Sequence, residues 1–204
     1  MDLEMEAPKK LLHVGCGPQD KTGLKGFGSD DWIEVRFDID ETAHPDIVGT
    51  LTDMNQVGNE SVDAIYSSHN IEHVYAHEVM IVLREFRRVL RPDGFVVLTC
   101  PDLQSVCEAV VADRLLEPLY HSPAGPISPI DILYGHRGYI AQGDTHMAHK
   151  CGFTYSVLSK CFTDAGFSSF IGGRRPAGFD LWIVALKSSR NESDLQEIGR
   201  TFLP

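Results

Sequence analysis

Two sets of residues in this chain have types and spacing that could do chemistry. The first is Gly15-Cys16-Gly17, which ends the apolar run "LLHV". A strand that runs into glycines brings bare backbone close to a bound molecule. Asp38 belongs with this set. It lies roughly 20 residues further on, where the carboxylate at the next strand end of a nucleoside-binding fold takes a ribose diol. The second set is the histidines, nine in all, densest in "HNIEHV" (69–74) and "GDTHMAHK" (143–150). Imidazole works near neutrality as a base, an acid or a metal ligand.

The glycine pattern narrows the cofactor. A dinucleotide needs G-x-G-x-x-G at a helix N-terminus, and Asp20 stands where the third glycine belongs. No Gly-Lys-Ser/Thr follows, so the phosphate-cradling P-loop is absent. A cofactor without phosphate fits better, and an NAD-dependent dehydrogenase is the lesser alternative. A metal site among the histidines would need several ligands brought together, with His69, His146 and His149 as candidates beside Glu72 and His73. No ligand pair has the spacing of a closed site, so no metal is expected. Glu72 is accounted for by the favourable field at a helix N-terminus. His149 stands just before the helical stretch "FTYSVLSKCF" and is the candidate general base, with substrate binding or holding a lid as the other roles.

The elements that must position these groups alternate. Lys10 to Val14, Trp32 to Phe37, Pro45 to Thr50 and Ser61 to Ser67 read as four strands, the second ending at Asp38. A helix follows, because Val79, Val82, Leu83, Phe86, Val89 and Leu90 share one face. "RPDG" reads as a turn, and "FVVLTC" as a buried fifth strand of the parallel type. Residues 103–116 and 154–165 read as helices, and "GFSSFIGG" and "FDLWIVALK" as a closing antiparallel pair. Residues 117–152 break the alternation with prolines, glycines, tyrosines and histidines. They read as a cap over the site. Residues 188–204 read as a polar tail. The pattern predicts one domain over 1–204, a mostly parallel α/β sheet with helices on both faces. Strand ends of such a sheet share one rim, which gathers Gly15, Gly17, Asp38 and Ser67. Strand alternation turns Asp40 to the other face.

Composition limits the partners. The chain has 204 residues, 43% hydrophobic and 23% charged, which suits a folded domain with a real core. A net charge of -11 repels a phosphate backbone, so nucleic acid is not expected. Arg84, Arg87, Arg88 and Arg91 recur at helical spacing and read as a solvated helix face. Five cysteines with no C-x-x-C pair favour a reducing compartment. The opening "MDLEMEAPKK" has no apolar signal core, and no run is long enough to span a membrane, so a cytoplasmic location is expected.

Taken together, "LLHVGCGP", "VRFDID", "SVDAIYSSHNIEHV" and "FRRVLRPDGFVVLTCPD" resemble the successive motifs of class I S-adenosylmethionine-dependent methyltransferases. The resemblance covers residues 10–103. The outline is most similar to small enzymes of this class often found near polysaccharide or cell-envelope genes. It implies a Rossmann-like three-layer sandwich and S-adenosylmethionine as cofactor. It places Gly15, Cys16 and Gly17 at the methionine part, and Asp38 with Ile39 at the ribose. Adenine falls on Thr50 to Met54, with Leu51, Thr52 and Asp53 as contacts, although threonine stands at position 50 where the class often has an acid. Ser67, Ser68 and His69 line the methionine side. Glu72 and His73 resemble a pair that some methyltransferases use for a divalent ion. The implied reaction is in-line methyl transfer to a small-molecule or sugar-like acceptor. A non-catalytic module that binds the cofactor is the alternative.

Overall fold

The computed structural model describes residues 7–204, so the first six residues of the opening segment lie outside the described residues. The strands are β1 (Lys9–Val14), β2 (Trp32–Asp38), β3 (Ile47–Val48), β4 (Val62–Ser68) and β5 (Leu90–Pro101), then β6 (Tyr120–Ser122), β7 (Gly125–Ile127), β8 (Ser169–Arg175) and β9 (Asp180–Leu186). Seven of them form one sheet in the order β3-β2-β1-β4-β5-β9-β8, and β6-β7 is a separate hairpin. Strands β1 to β5 pair in parallel, and β9 runs antiparallel to both β5 and β8. This is the Rossmann-like sheet with a closing antiparallel pair that the sequence predicts.

Period-two alternation divides the core between the two faces of the sheet. Leu12, Val14, Ile65, Val96 and Leu98 pack on one face with Val82, Leu83 and Phe86 of helix α1 (Val79–Val89). Leu158 and Phe162 join them from the later helix Tyr155–Asp164. Leu11, Ala64, Tyr66 and Val97 pack on the other face with Phe27, Trp32, Phe95 and Phe202. The remaining helices are α2 (Leu103–Val111), α3 (Pro129–Tyr134), α4 (Arg137–Ala141), α5 (Tyr155–Asp164) and α6 (Glu192–Phe202). Among the described residues, no helix is long and apolar enough to cross a membrane.

Several elements depart from the sequence reading. "RPDG" does not stand outside the sheet. It falls inside the span of β5 as an excursion: Leu90 pairs with Val62 and Phe95 with Ala64, while Arg91 to Gly94 between them have no partner on β4. The third strand shrinks to Ile47–Val48. The arginine helix face is not wholly solvated. Arg88 donates to the carbonyls of Met54 (2.8 Å) and Val57 (2.9 Å) and to Glu85, which ties the loop before β4 to α1. The polar tail is helix α6, capped at its start by the Asn191 side chain. Its Phe202 is buried against Phe27 and Phe95, with ring centroids 4.6 and 4.8 Å away.

The loop after β1 is held from the far side by Asn70. Its amide Nδ2 donates to the Val14 carbonyl at 2.9 Å. Gly15 has φ +59°, and a Cβ there would overlap Asn70 Oδ1. This glycine is therefore required twice, by its left-handed backbone and by its neighbour. Gly15→Ala should lower stability by at least about 1–2 kcal/mol from the backbone term alone, read by urea denaturation. The loss should shrink in an Asn70→Ala background, where the overlap is gone; an equal loss in both backgrounds counts against the contact. Phe202→Ala should cost about 3–5 kcal/mol in the same assay, whereas a solvated tail would leave the transition unmoved.

Candidate active site

Strand register builds the rim. Val14 of β1 pairs with Phe37 of β2 on one side and with Ser67 of β4 on the other. The residues that follow therefore emerge together. The Gly15 amide donates to the Phe37 carbonyl at 2.8 Å, which turns the chain at the strand end. Asp38 is nearly buried. Its Oδ2 accepts from the Gly17 amide (2.8 Å) and its Oδ1 from the Asp40 amide (2.9 Å). Each carboxylate oxygen keeps a second lone pair for a ligand hydroxyl. Gly17 has φ +49°, and nothing lies within 4 Å of where its Cβ would be.

These residues open onto a cleft of about 790 Å³, within the usual range for small-molecule sites. Of the residues expected from sequence, Gly15, Gly17, Asp38, Ile39, Leu51, Thr52, Ser68 and His69 line it. Thr50 lines it too, with its hydroxyl 3.1 Å from that of Thr52. Cys16 and Ser67 lie in the core beneath the rim, and burial pushes the Cys16 thiol up. Asp53 lies in a neighbouring depression with Arg84 and Arg88. Asp40 does line the cleft, against the strand-alternation argument, because β2 ends at Asp38 and its alternation ends there.

Sequence reasoning missed one wall. Asp144, His146, Met147 and Lys150, from the end of the insertion, line the cleft together with Asp40 and Glu41, which follow β2. Tyr75 and Glu78 join them. The Lys150 ammonium lies 5.0 Å from the centre of the Tyr75 ring. The sequence marked the stretch 143–150 as dense in histidine and named His146 as a possible ligand, but no local pattern singled out Asp144, Met147 or Lys150. The insertion is itself folded: Asp131 accepts from Ser128 and from the Arg137 guanidinium, which holds its carboxyl well below the usual range despite burial.

His149, the expected base, is not among the lining residues. Its Nδ1 lies 2.7 Å from the Ile132 carbonyl, and its ring packs edge-on against that of His73, with centroids 4.8 Å apart. Burial lowers its pKa. His73 does line the cleft. Glu72 is buried beside both imidazoles, an arrangement that the chain separation of these residues conceals.

The residues fit S-adenosylmethionine. The open space at Gly17 admits a ligand against bare backbone, and Asp38 offers free lone pairs at the strand end. The cleft wall carries five carboxylates, Asp38, Asp40, Glu41, Glu78 and Asp144, against one ammonium, Lys150, a field that suits a sulfonium cation.

Comparison with known proteins agrees. A family model described as "Methyltransferase domain" matches residues 12–98. No curated protein sequence matches. A S-adenosylmethionine-dependent methyltransferase structure from Methanosarcina mazei is 16% identical over 91% of this chain and 95% of that one, with a TM-score of 0.55. The Burkholderia thailandensis 1,6-didemethyltoxoflavin-N1-methyltransferase, solved with bound S-adenosylhomocysteine, is 16% identical over 90% of this chain and 72% of that one, at TM-score 0.52. The methyltransferase domain of the citrinin polyketide synthase is 16% identical over 90% of this chain, at TM-score 0.55. This chain spans 47%, 63% and 50% of the first three structures matched. At these identities the structures establish the fold. The methyltransferase-domain match, with the neighbour that holds S-adenosylhomocysteine, supports S-adenosylmethionine as the cofactor. Residues 12–98 thus match a methyltransferase domain, and the sheet around them has the fold of the S-adenosylmethionine-dependent methyltransferase structures it resembles.

Proposed function

We propose that this chain transfers a methyl group to a small, hydroxylated or sugar-like acceptor bound against the insertion wall. The observation that carries this reading is that one cleft joins the glycine turn and Asp38 to Tyr75, Glu78, Asp144, His146 and Lys150. The first group suits a nucleoside cofactor. The second has the mixed polar and aromatic character that suits a polyhydroxylated small molecule.

S-adenosylmethionine supplies an electrophilic methyl, so the protein's task is alignment. Gly15 and Gly17 give the methionine part backbone contact, and Asp38 takes the ribose hydroxyls. Leu51 and Thr52 bound the adenine side. Asp53 points away from this role by its place in the neighbouring depression. Ser68 and His69 line the methionine side. Residues 117–152 act as a cap that shields the reacting centre and presents the acceptor, with His149 at its inner edge. Direct proton abstraction by His149 requires its ring to reach the cleft past His73, so its contribution to the acceptor runs through that neighbour.

Asp38→Ala should weaken S-adenosylhomocysteine binding by about 2–4 kcal/mol, roughly 30- to 1,000-fold, by titration calorimetry. Unchanged affinity removes Asp38 from the ribose role. Methyl transfer itself is tested by following S-adenosylhomocysteine release over a panel of sugars, phenols and amines. Tight cofactor binding with no turnover on any of them would favour the non-catalytic module.

A further inference from the structure

Three groups with lone pairs converge at the base of the insertion wall. The Glu72 carboxylate and the imidazoles of His73 and His149 each offer an atom, and these atoms lie within 4.8 Å of one another. Glu72 is almost wholly buried, its side chain 1% exposed. Neither of its oxygens has a hydrogen-bond partner among the described residues. Its ion-pair partner is the half-exposed imidazole of His69, with Nδ1 3.3 Å from Oε1 and no hydrogen-bond geometry. One partly exposed imidazole without a hydrogen bond compensates a buried carboxylate poorly, and further positive charge there would be favourable.

Neither His73 nor His149 makes a hydrogen bond to the Glu72 carboxylate. His73 Nδ1 lies 3.2 Å from the Ala148 carbonyl and His149 Nδ1 lies 2.7 Å from the Ile132 carbonyl. A carbonyl only accepts, so each Nδ1 carries the ring proton and each Nε2 is left with a lone pair. Histidines that bind metals characteristically donate their other ring N–H to a carbonyl in this way. The scaffold is also pre-formed. The Lys150 and Cys151 amides donate to the Glu72 carbonyl at 2.8 and 3.3 Å, which staples the segment after Ala148 to the turn Ile71–His73.

We infer that Glu72, His73 and His149 bind a divalent transition-metal ion. Two imidazole nitrogens and one carboxylate oxygen suit zinc, manganese, iron or cobalt, whereas calcium and magnesium prefer oxygen throughout. This reverses the sequence expectation of no metal, because folding supplies the ligand that local spacing lacks. His69 and His73 line the cleft, so the ion adjoins the wall that receives the acceptor. Three protein ligands leave coordination positions for an acceptor oxygen. That last role rests on the methyl-transfer reading; the binding of the ion does not.

The test uses tag-free full-length protein, stripped with chelator and titrated with Mn²⁺ and Zn²⁺ by calorimetry in the absence of cofactor. One ion per chain is expected. Glu72→Gln and His149→Ala should each weaken binding at least 100-fold. His146→Ala, a cleft histidine outside the cluster, should not. Absence of stoichiometric binding overturns the inference, as does affinity that persists in both cluster variants. Circular dichroism establishes that the variants are folded. If they are not, the Cu²⁺-loaded wild type decides by electron paramagnetic resonance: coupling to imidazole nitrogen supports the site, and its absence refutes it. Metal binding without turnover on any acceptor would refute methyl transfer and leave the metal site standing.

Discussion

The register of β1 between β2 and β4 is the constraint on which the rest depends. Val14 stands opposite both Phe37 and Ser67, so three strands end at one level. Everything that follows a strand end at that level shares one rim. A shift by one residue would turn every side chain of β1 to the opposite face. It would move Leu12 and Val14 out of the α1 side of the core and carry Gly15 away from Asn70. The apolar pattern therefore protects the geometry of the glycine turn. Stability and site placement are enforced by the same hydrogen bonds.

Polar residues that are buried concentrate at this edge. Asp38 ends β2, Asp102 follows β5, and Asp180 begins β9 opposite Pro101, so the antiparallel strand brings it to the same side. Each is provided for. Asp38 accepts two backbone amides, Asp102 takes the Arg174 guanidinium at 2.7 Å, and Asp180 takes Arg175 at 2.9 Å. The arginines come from β8, the edge strand of the sheet. An antiparallel pair at the end of a parallel sheet thus supplies cations where the loops after β5 need them. The Asp102 side chain also accepts from the Gln104 amide, which starts α2.

Local features were legible in the sequence, and features made by distant contacts were not. The glycines of the first loop, Asp38 and the α1 stripe are each encoded within one or two turns or strands, and they stand where the sequence places them in the fold. The strand ends brought Ser68 and His69 to the cleft by topology alone. Ser67 shows the limit of that argument, since one step along a strand separates the cleft from the core. Asp40 shows the converse, because alternation holds only while the strand lasts. Helix α6 escaped notice because its polar face dominates the composition. Its value to the core comes from Phe202 meeting Phe27, about which residues 188–204 alone say nothing. The wall formed by Asp144, His146, Met147 and Lys150 depends on how the insertion folds back.

Glu72 is where these two kinds of information meet. As a residue early in a helical turn, it needs no explanation beyond a favourable local field. As a buried side chain, it needs a partner, and Asp102 and Asp180 show how this protein provides one for a carboxylate near the rim: it brings up an arginine. Around Glu72 it brings up imidazoles, with their Nδ1 protons turned to carbonyls. Burial opposes the carboxylate charge, yet the imidazole of His69 and those beyond it hold the group below its ordinary range. Replacing such a cluster with apolar side chains would relieve the desolvation cost. Its place beside the cleft, on a turn stapled to the end of the insertion, puts the charge where the inferred ion would offset that cost.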